Sequence, residues 1–486
     1  MRKYFTLLLA LWMAAVSCLA CGGKEASIQK TDTDPSAQIA DTTQDTEETG
    51  LQLNIPTEDH GGQDFHILVP TEKAYEFVTE STGEVVNDVV FQRSQKTEEH
   101  FGIRFSYQYE FGNWETRDSY NNFIKNAVLS GDSTYDVATG FVVCTLPIYM
   151  QGSLLNLMTL EDLHLDNPWW MNDQYENLNV NGQLFCAFGD ANLSVYKDCS
   201  VVYFNKKVLT DFKLEDPYAL VREGTWTKEK MLTMAEAVMT DLDGDTKITP
   251  TTDRIGVYGQ GVPIRAFQTA FDVEIITTDE NGNRIVSELT DRIAQTHEWI
   301  TGFMKKPYMY GEFGGVDFYQ FCGIFADNRS LFHVSFIYVL EGELMRNMDA
   351  DFGIVPYPKF DEAQTQYRTQ IGTSSNIVFM PKTAADPNLS CRVLEVLNYY
   401  SMLDVIPVYY TVALENKYTR DNDVPEMLAL IREGMIMDFS FAYSTCFNNG
   451  FPNTILTEND INIASRMKSV EKTWTKDLEQ LTKISD

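Results

Sequence analysis

The sequence predicts an α/β protein organised around parallel sheet, and three observations lead there. The chain is 486 residues long, 44% hydrophobic and 12% aromatic against 22% charged, so it can bury a large core. Beyond residue 60 its apolar segments alternate between short strand-like runs and faces with helical spacing. That β-α-β-α-β order is what a parallel sheet with right-handed crossovers requires. The alternation then returns later in the chain, and the length corresponds to two or three units of about 100–200 residues each.

Phe65 to Val69 is a short apolar run after Gly61-Gly62, and Val89, Val90, Arg93 and Thr97 follow at helical spacing. Ile103 to Tyr109 reads as a second strand. Tyr120, Phe123, Ile124, Ala127 and Val128 mark a helix face that Ser130-Gly131-Asp132 ends, and Tyr135 to Thr139 reads as a third strand. Ser200 to Phe204, Arg254 to Tyr258 and Phe352 to Val355 are further strands, with a helix face of Met231, Met234, Ala235 and Val238 between the first two. Asp386 is placed to cap a helix that begins at Pro387 and carries Val393, Leu394, Leu397 and Tyr400 on one face. Thr457 is expected to open a last long helix with Ile461, Ala464, Met467, Trp474, Leu478 and Leu481 along its apolar side.

The N-terminus carries an export signal. Arg2 and Lys3 precede an apolar run, Tyr4 to Val16, that is too short to cross a bilayer, which takes about 20 residues. Ser17-Cys18-Leu19-Ala20-Cys21-Gly22-Gly23 then resembles the lipobox of bacterial lipoproteins, which implies a lipid anchor on Cys21. Cys18 is the alternative acceptor, and an ordinary cleaved secretory signal is the other reading. Residues 1–20 are thus expected to be a leader. Residues 21–60, rich in Thr, Asp, Glu, Ser and Gln, are expected to be an acidic, disordered tether to the membrane.

Charge narrows the choice of partner. With 38 basic and 70 acidic residues the net charge is −32, a field that repels nucleic-acid backbones and anionic headgroups. The cysteines beyond the leader are Cys144, Cys186, Cys199, Cys322, Cys391 and Cys446. None has C-x-x-C spacing, so Cys186 with Cys199 is the best candidate disulfide, and free buried thiols are the alternative. Six scattered histidines give no zinc signature, and no nucleophile elbow, Walker loop or dinucleotide fingerprint occurs. One loop is ion-like: Asp241, Asp243 and Asp245 occupy positions 1, 3 and 5 of a run resembling a calcium loop. It departs from the EF-hand pattern, since Thr246 stands at position 6, Thr252 at position 12, and Asp253 falls one residue late. A structural calcium and a solvated acidic turn are both open readings.

A family resemblance is spread over about residues 62 to 480. Val201 to Leu209 followed by Gly224-Thr225-Trp226-Thr227 resembles the "strand, Asn-Lys, Leu … Trp-Thr" signature of extracellular solute-binding proteins of family 1, the group containing maltose-binding protein. Phe325 to Phe332 resembles that family's "F-x-x-G-x-x-A" strand entry with Asn328 in place of Gly. Asp351 to Pro358 resembles its "[DY]-[FY]-G-[IV]-x-P-x-P" strand, and Gln183 to Asp190 its approach to the first interlobe crossing. The resemblance implies a two-lobed periplasmic-binding-protein fold of type II, a Venus flytrap with a hinge of crossing strands. Lobe one would comprise 61–192 plus 376–412, and lobe two 196–372 plus 416–486.

The same resemblance implies a ligand cleft lined by Gly140, Phe141, Asp190, Asn192, Ser335, Phe336 and Tyr338, with Phe439 and Tyr443 offering further aromatic surface. Trp169-Trp170, two large rings in a loop, join this set as candidate platforms. Sugars suit such a site, because C–H faces lie on rings while hydroxyls take side-chain hydrogen bonds. The expectation is therefore a monomeric, lipid-anchored, extracytoplasmic binding protein without catalytic residues. It would capture a small polar solute, an oligosaccharide, for an ABC transporter permease, with no cofactor beyond a structural calcium. A lipid-anchored carbohydrate-active enzyme is the alternative, and a ligand sensor is a third reading.

Overall fold

The computed structural model describes residues 52–312, 322–411 and 421–483. The leader, the candidate lipidation site and most of the acidic tether lie outside the described residues. In chain order the described strands are β1 (Gln63–Pro70), β2 (Ile103–Glu110), β3 (Val137–Phe141), β4 (Ser200–Asn205), β5 (Ile255–Gln260), β6 (Ile276–Thr278), β7 (Arg284–Val286), β8 (Met309–Glu312), β9 (Ser330–Phe336), β10 (Phe352–Val355), β11 (Thr369–Gln370), β12 (Asn376–Phe379) and β13 (Met435–Ile436).

Two larger sheets hold nine of these strands, while β6 with β7 and β11 with β13 form two-stranded sheets. The first has the order β12-β3-β1-β2, in which β1 runs parallel to β2 and β3 while β12 is antiparallel. The second has the order β10-β4-β9-β5-β8, with β5 parallel to β9 and β8, and β4 antiparallel to both of its neighbours, β9 and β10. The parallel run expected from the first three strands is therefore present, and the expected strands at β4, β5 and β10 belong to the second sheet. β3 begins two residues after Tyr135 and takes in Gly140 and Phe141. β9 extends through Ser335 and Phe336, so these are strand residues and not loop residues.

Local chemistry accounts for the motifs. Asn205 ends β4 and caps the short helix Lys206–Asp211, accepting from the Val208 N–H at 3.0 Å, and its side-chain amide donates to Asn328 Oδ1 at 2.8 Å. Asn328 sits at φ 59°, the left-handed conformation that asparagine tolerates in place of glycine. Trp226 is buried against Phe332 and donates its indole N–H to the Pro356 carbonyl at 2.9 Å, while Thr227 caps Lys228–Ala237. Gly353 in β10 is a packing requirement. A Cβ there would lie 2.3 Å from the Phe204 ring and 2.4 Å from the Tyr218 hydroxyl.

Helix Pro387–Tyr400 is capped by Asp386 as expected, and Val393, Leu394, Val396 and Leu397 are buried along it. It closes over one side of the first sheet in a core shared with Phe65, Val69, Trp169 and Trp170. Its buried Glu395 receives four donors, from the His164 backbone N–H, the Asn167 amide and the indole N–H groups of Trp169 and Trp170, at 2.6 to 2.9 Å. The last helix starts later than Thr457. Asn462 is its cap, the helix spans Ile463–Leu481, and its buried side is Met467, Val470, Trp474, Leu478 and Leu481, whereas Ala464 is exposed. Thr457 instead ends a 3-10 turn, Pro452–Thr457.

The six described cysteines are free and buried, so Cys186 and Cys199 are not a disulfide. Each lies inside packed apolar surroundings, and the stretch between them is the first passage from one sheet to the other. No helix among the described residues is long and apolar enough to cross a membrane.

Two outcomes follow for stability. Glu395→Ala leaves two buried indole donors without acceptors, and denaturant titration should show a loss of about 3 kcal/mol, with Glu395→Gln losing less. Asp438, the cap of the short helix Phe439–Ala442, is pushed up to about 7 from the usual carboxylate range by burial. The folded chain therefore holds a proton there that the unfolded chain releases near pH 4. Stability from this group is present at low pH and is lost as pH rises through about 7, so melting should be lower at pH 8 than at pH 5. Asp438→Asn should flatten that difference.

Candidate functional site

Parallel strands end their backbone ladders on one side, and ligands bind beyond those carboxyl ends. From the first sheet β1 delivers Thr71–Glu76 there and β3 delivers Phe141. From the second, β9 delivers Phe336 and the turn Ile337–Glu341. Lys73 donates to Asp198 Oδ2 at 2.8 Å, with both side chains almost wholly buried, and the Ser374 hydroxyl donates to the same oxygen at 2.9 Å. The Lys73 ammonium also lies 5.0 Å from the Phe141 ring centre, within cation–π range. Beside it Lys197 pairs with Glu341 at 2.8 Å and sits 4.2 Å over the Tyr75 ring. Phe336 and Tyr338 stack at 5.4 Å with an interplanar angle of 18°. Tyr75, Phe141 and Tyr338 remain half-exposed.

This cluster is fastened from beneath. Glu76, fully buried, accepts from the Ser194 N–H at 2.5 Å and the Asn376 amide at 2.7 Å, and burial raises its pKa. Arg93 donates to the Glu76 carbonyl at 2.6 Å and to the Ser401 hydroxyl at 3.3 Å. The end of β1 is thereby tied to two places where the chain passes between the sheets, at Ser194 and Asn376, and to Ser401 at the end of helix Pro387–Tyr400.

A second set of contacts joins the two halves alongside. Residues 142–151, after β3, pack on residues 439–446, where the Thr445 hydroxyl donates to the Val143 carbonyl at 2.7 Å. Gln174 bonds the backbone of Met435 and Met437, and the Tyr443 hydroxyl donates to the Leu178 carbonyl at 2.8 Å. Phe439 and Tyr443 stack at 4.4 Å, buried in this seam, with the Arg284 guanidinium 4.6 Å from the Phe439 ring centre. Side chains fill the seam, so access to those two rings requires the halves to part. A cavity of about 330 Å³ lined by Asp272, Arg292, Gln364, Gln366 and Arg368 lies elsewhere and shares no residue with the cluster.

The expected residues thus fall into five places. Phe141, Phe336 and Tyr338 belong to the cluster, and Gly140 lies behind it, where a Cβ would meet the Thr145 hydroxyl at 2.2 Å. Ser335 is buried within β9. Asp190 and Asn192 are buried at the first passage between sheets. Asp190 accepts from the Tyr196 hydroxyl, and burial pushes its carboxyl up to about 6. Phe439 and Tyr443 are in the seam. Trp169 and Trp170 are not platforms: both are buried in the first core because their indole N–H groups satisfy Glu395. Sequence reasoning missed Lys73, Tyr75, Lys197, Asp198, Glu341 and Ser374. The signal for the first two was available, since they follow β1 directly at its carboxyl end.

The acidic loop gathers Asp241, Asp243, Asp245 and also Asp253, with one ligand atom from each within 4.8 Å of the others. Thr246 takes φ 71°, the conformation that position 6 demands. Asp253 reaches the cluster although it is one residue late. It accepts from the Leu242 and Thr249 N–H groups, which hold its carboxyl down at about 2. This all-oxygen set fits a hard cation such as calcium. The carboxylates also accept backbone N–H groups of Gly244, Asp245, Thr246 and Lys247, so the loop is partly self-satisfied.

No protein-family model matches this chain, and no curated protein matches its sequence. Solved structures do share its fold. An ABC substrate-binding protein from Listeria monocytogenes, solved in complex with cycloalternan, has a TM-score of 0.52 at 11% identity, covering 86% of this chain and 99% of its own. The GacH receptor of Streptomyces glaucescens, solved unliganded and with acarbose, has a TM-score of 0.50 at 13% identity over 86% and 99% of the two chains. RafE from Streptococcus pneumoniae, in its apo form, has a TM-score of 0.50 at 12% identity over 87% and 97%. At these identities the likeness establishes the architecture, and the chain has the mixed α/β, two-lobed periplasmic-binding-protein fold.

Proposed function

We propose that this protein is an extracytoplasmic solute-binding protein that captures an oligosaccharide between its lobes and hands it to an ABC importer. The observation that carries the reading is the cluster at the carboxyl ends of β1, β3 and β9. There half-exposed Tyr75, Phe141 and Tyr338 stand beside the Lys73–Asp198 and Lys197–Glu341 pairs. Rings offer surface to sugar C–H faces and the charged groups offer directed partners for hydroxyls. The sugar ligands named for the Listeria and Streptomyces proteins of the same fold support this class of solute.

In this reading lobe one is 61–192 plus 376–412 and lobe two is 196–372 plus 416–486. The chain acts as a monomer, anchored through lipid on Cys21 and spaced from the membrane by residues 21–60. Parting the seam admits ligand, which then bridges both lobes and shifts the population toward the closed form. Calcium at Asp241, Asp243, Asp245 and Asp253 stiffens the loop without touching the ligand.

Thermal melting against a panel of gluco-, manno- and galacto-oligosaccharides, amino acids and peptides tests the reading. A sugar should stabilise the chain, by about 2.7 kcal/mol at a hundred times its Kd, and be recovered intact. A panel in which only amino acids or peptides act, or in which the sugar is cleaved, would overturn it. Tyr75→Ala and Tyr338→Ala should each weaken the active sugar about tenfold. Calcium alone should raise the melting temperature, and Asp243→Asn with Asp245→Asn should abolish that rise. Cys21→Ser should release the chain from the membrane fraction, and retention there would refute the anchor.

A further inference from the structure

Most large apolar side chains of this protein are buried, but three exposed rings lie close in the chain or in space at one edge of the seam. Phe111 is 62% exposed, Trp114 42% and Phe451 41%. Phe111 and Trp114 belong to the loop after β2, so they lie on the same carboxyl-end side of the first sheet as Tyr75 and Phe141. The Gly112 N–H donates to the Glu72 carboxylate at 3.1 Å, which fastens this loop to the one that carries Lys73 and Tyr75. Phe451 comes from the segment that follows the seam residues 439–446, and Phe447 of that segment packs on Trp474 of the last helix. Trp114 and Phe451 meet edge to face, at 6.0 Å and 81°. One ring therefore comes from each side of the seam.

The Trp114 ring is held in place. Asn113 Oδ1 accepts from the Glu115 N–H, the Thr116 N–H and the Thr116 hydroxyl at 3.0 to 3.2 Å, which closes a tight turn. Arg117 donates to the Trp114 carbonyl and lays its guanidinium 4.3 Å from the ring centre. A pre-positioned ring flanked by an amide and a guanidinium matches the needs of a pyranose, which presents an apolar C–H face and a rim of hydroxyls. The net charge of −32 disfavours an anionic occupant, whereas a neutral polyhydroxyl chain meets no such repulsion.

We propose that Trp114 and Phe451, with Phe111 and Arg117 beside them, form an outer sugar subsite at the rim of the closed lobes. It is reached only by the distal units of an oligosaccharide whose proximal units occupy the cluster around Tyr75, Phe141 and Tyr338. This rests on the proposed sugar-binding function and adds to it a preference for longer chains. Because the subsite is assembled from both sides of the seam, a long ligand gains contacts that a disaccharide cannot make.

The test is calorimetric titration of the full chain with linear α-1,4-glucans and β-1,4-mannans of two, four and six units. Wild type should bind the six-unit member of one series more tightly than the two-unit member. Trp114→Ala and Phe451→Ala should each weaken the six-unit ligand about five- to tenfold, leave the two-unit ligand within twofold, and leave the melting temperature of the free chain unchanged. Trp114→Phe should restore most of the loss, and Phe451→Ala keeps the test valid if the tryptophan variant misfolds. Equal weakening at all lengths, or none, overturns the subsite while the sugar-binding function stands. A wild type silent toward both series while another sugar of the melting panel binds overturns the subsite alone, and silence toward every sugar overturns the two together.

Discussion

The buried carboxylate of Glu76 is the contact on which the arrangement of the two lobes depends. It stands at the end of β1 and accepts from Ser194, on the first passage between sheets, and from Asn376, at the start of β12 where the chain returns. A passage between two cores carries backbone groups that can join neither sheet, and such groups must find partners when buried. Arg93 joins the same network to Ser401, at the end of helix Pro387–Tyr400. The Lys73–Asp198 pair lies next to this network, because Lys73 and Glu76 share the short helix Thr71–Glu76.

Much of the fold was legible in sequence because it rests on local rules. Asp386-Pro387 announced a helix start, and the parallel run through the first three strands followed from the period of the apolar residues. Even the departure at Asn328 had a local cause, its left-handed backbone. The last helix was misplaced because Thr457 and Asn462 are both good caps, and only packing against neighbouring helices decides between them.

The site was less legible, because it depends on contacts far apart in the chain. Trp169-Trp170 looked like binding platforms, yet Glu395, more than two hundred residues later, draws both indoles inward. Lys73, Lys197 and Glu341 carry no motif, and their meaning lies in where the strand ends place them. Asp253 shows the same limit at short range. A template with fixed spacing set it aside, although the turn at Thr249–Thr252 brings its carboxylate into the acidic loop.

The six free thiols bear on how such a chain reaches its working place. Burial pushes Cys144, Cys186, Cys391 and Cys446 up to about 12, so at neutral pH they are protonated and screened from oxidants. A protein that works outside the cytoplasm usually meets enzymes that pair its cysteines. Here the danger is confined to the interval before folding, when exposed thiolates could form pairings that the native packing has no room for. Under the extracytoplasmic role proposed above, burial of these thiols takes the place of oxidative pairing, and prompt folding after export is what protects the chain from misoxidation.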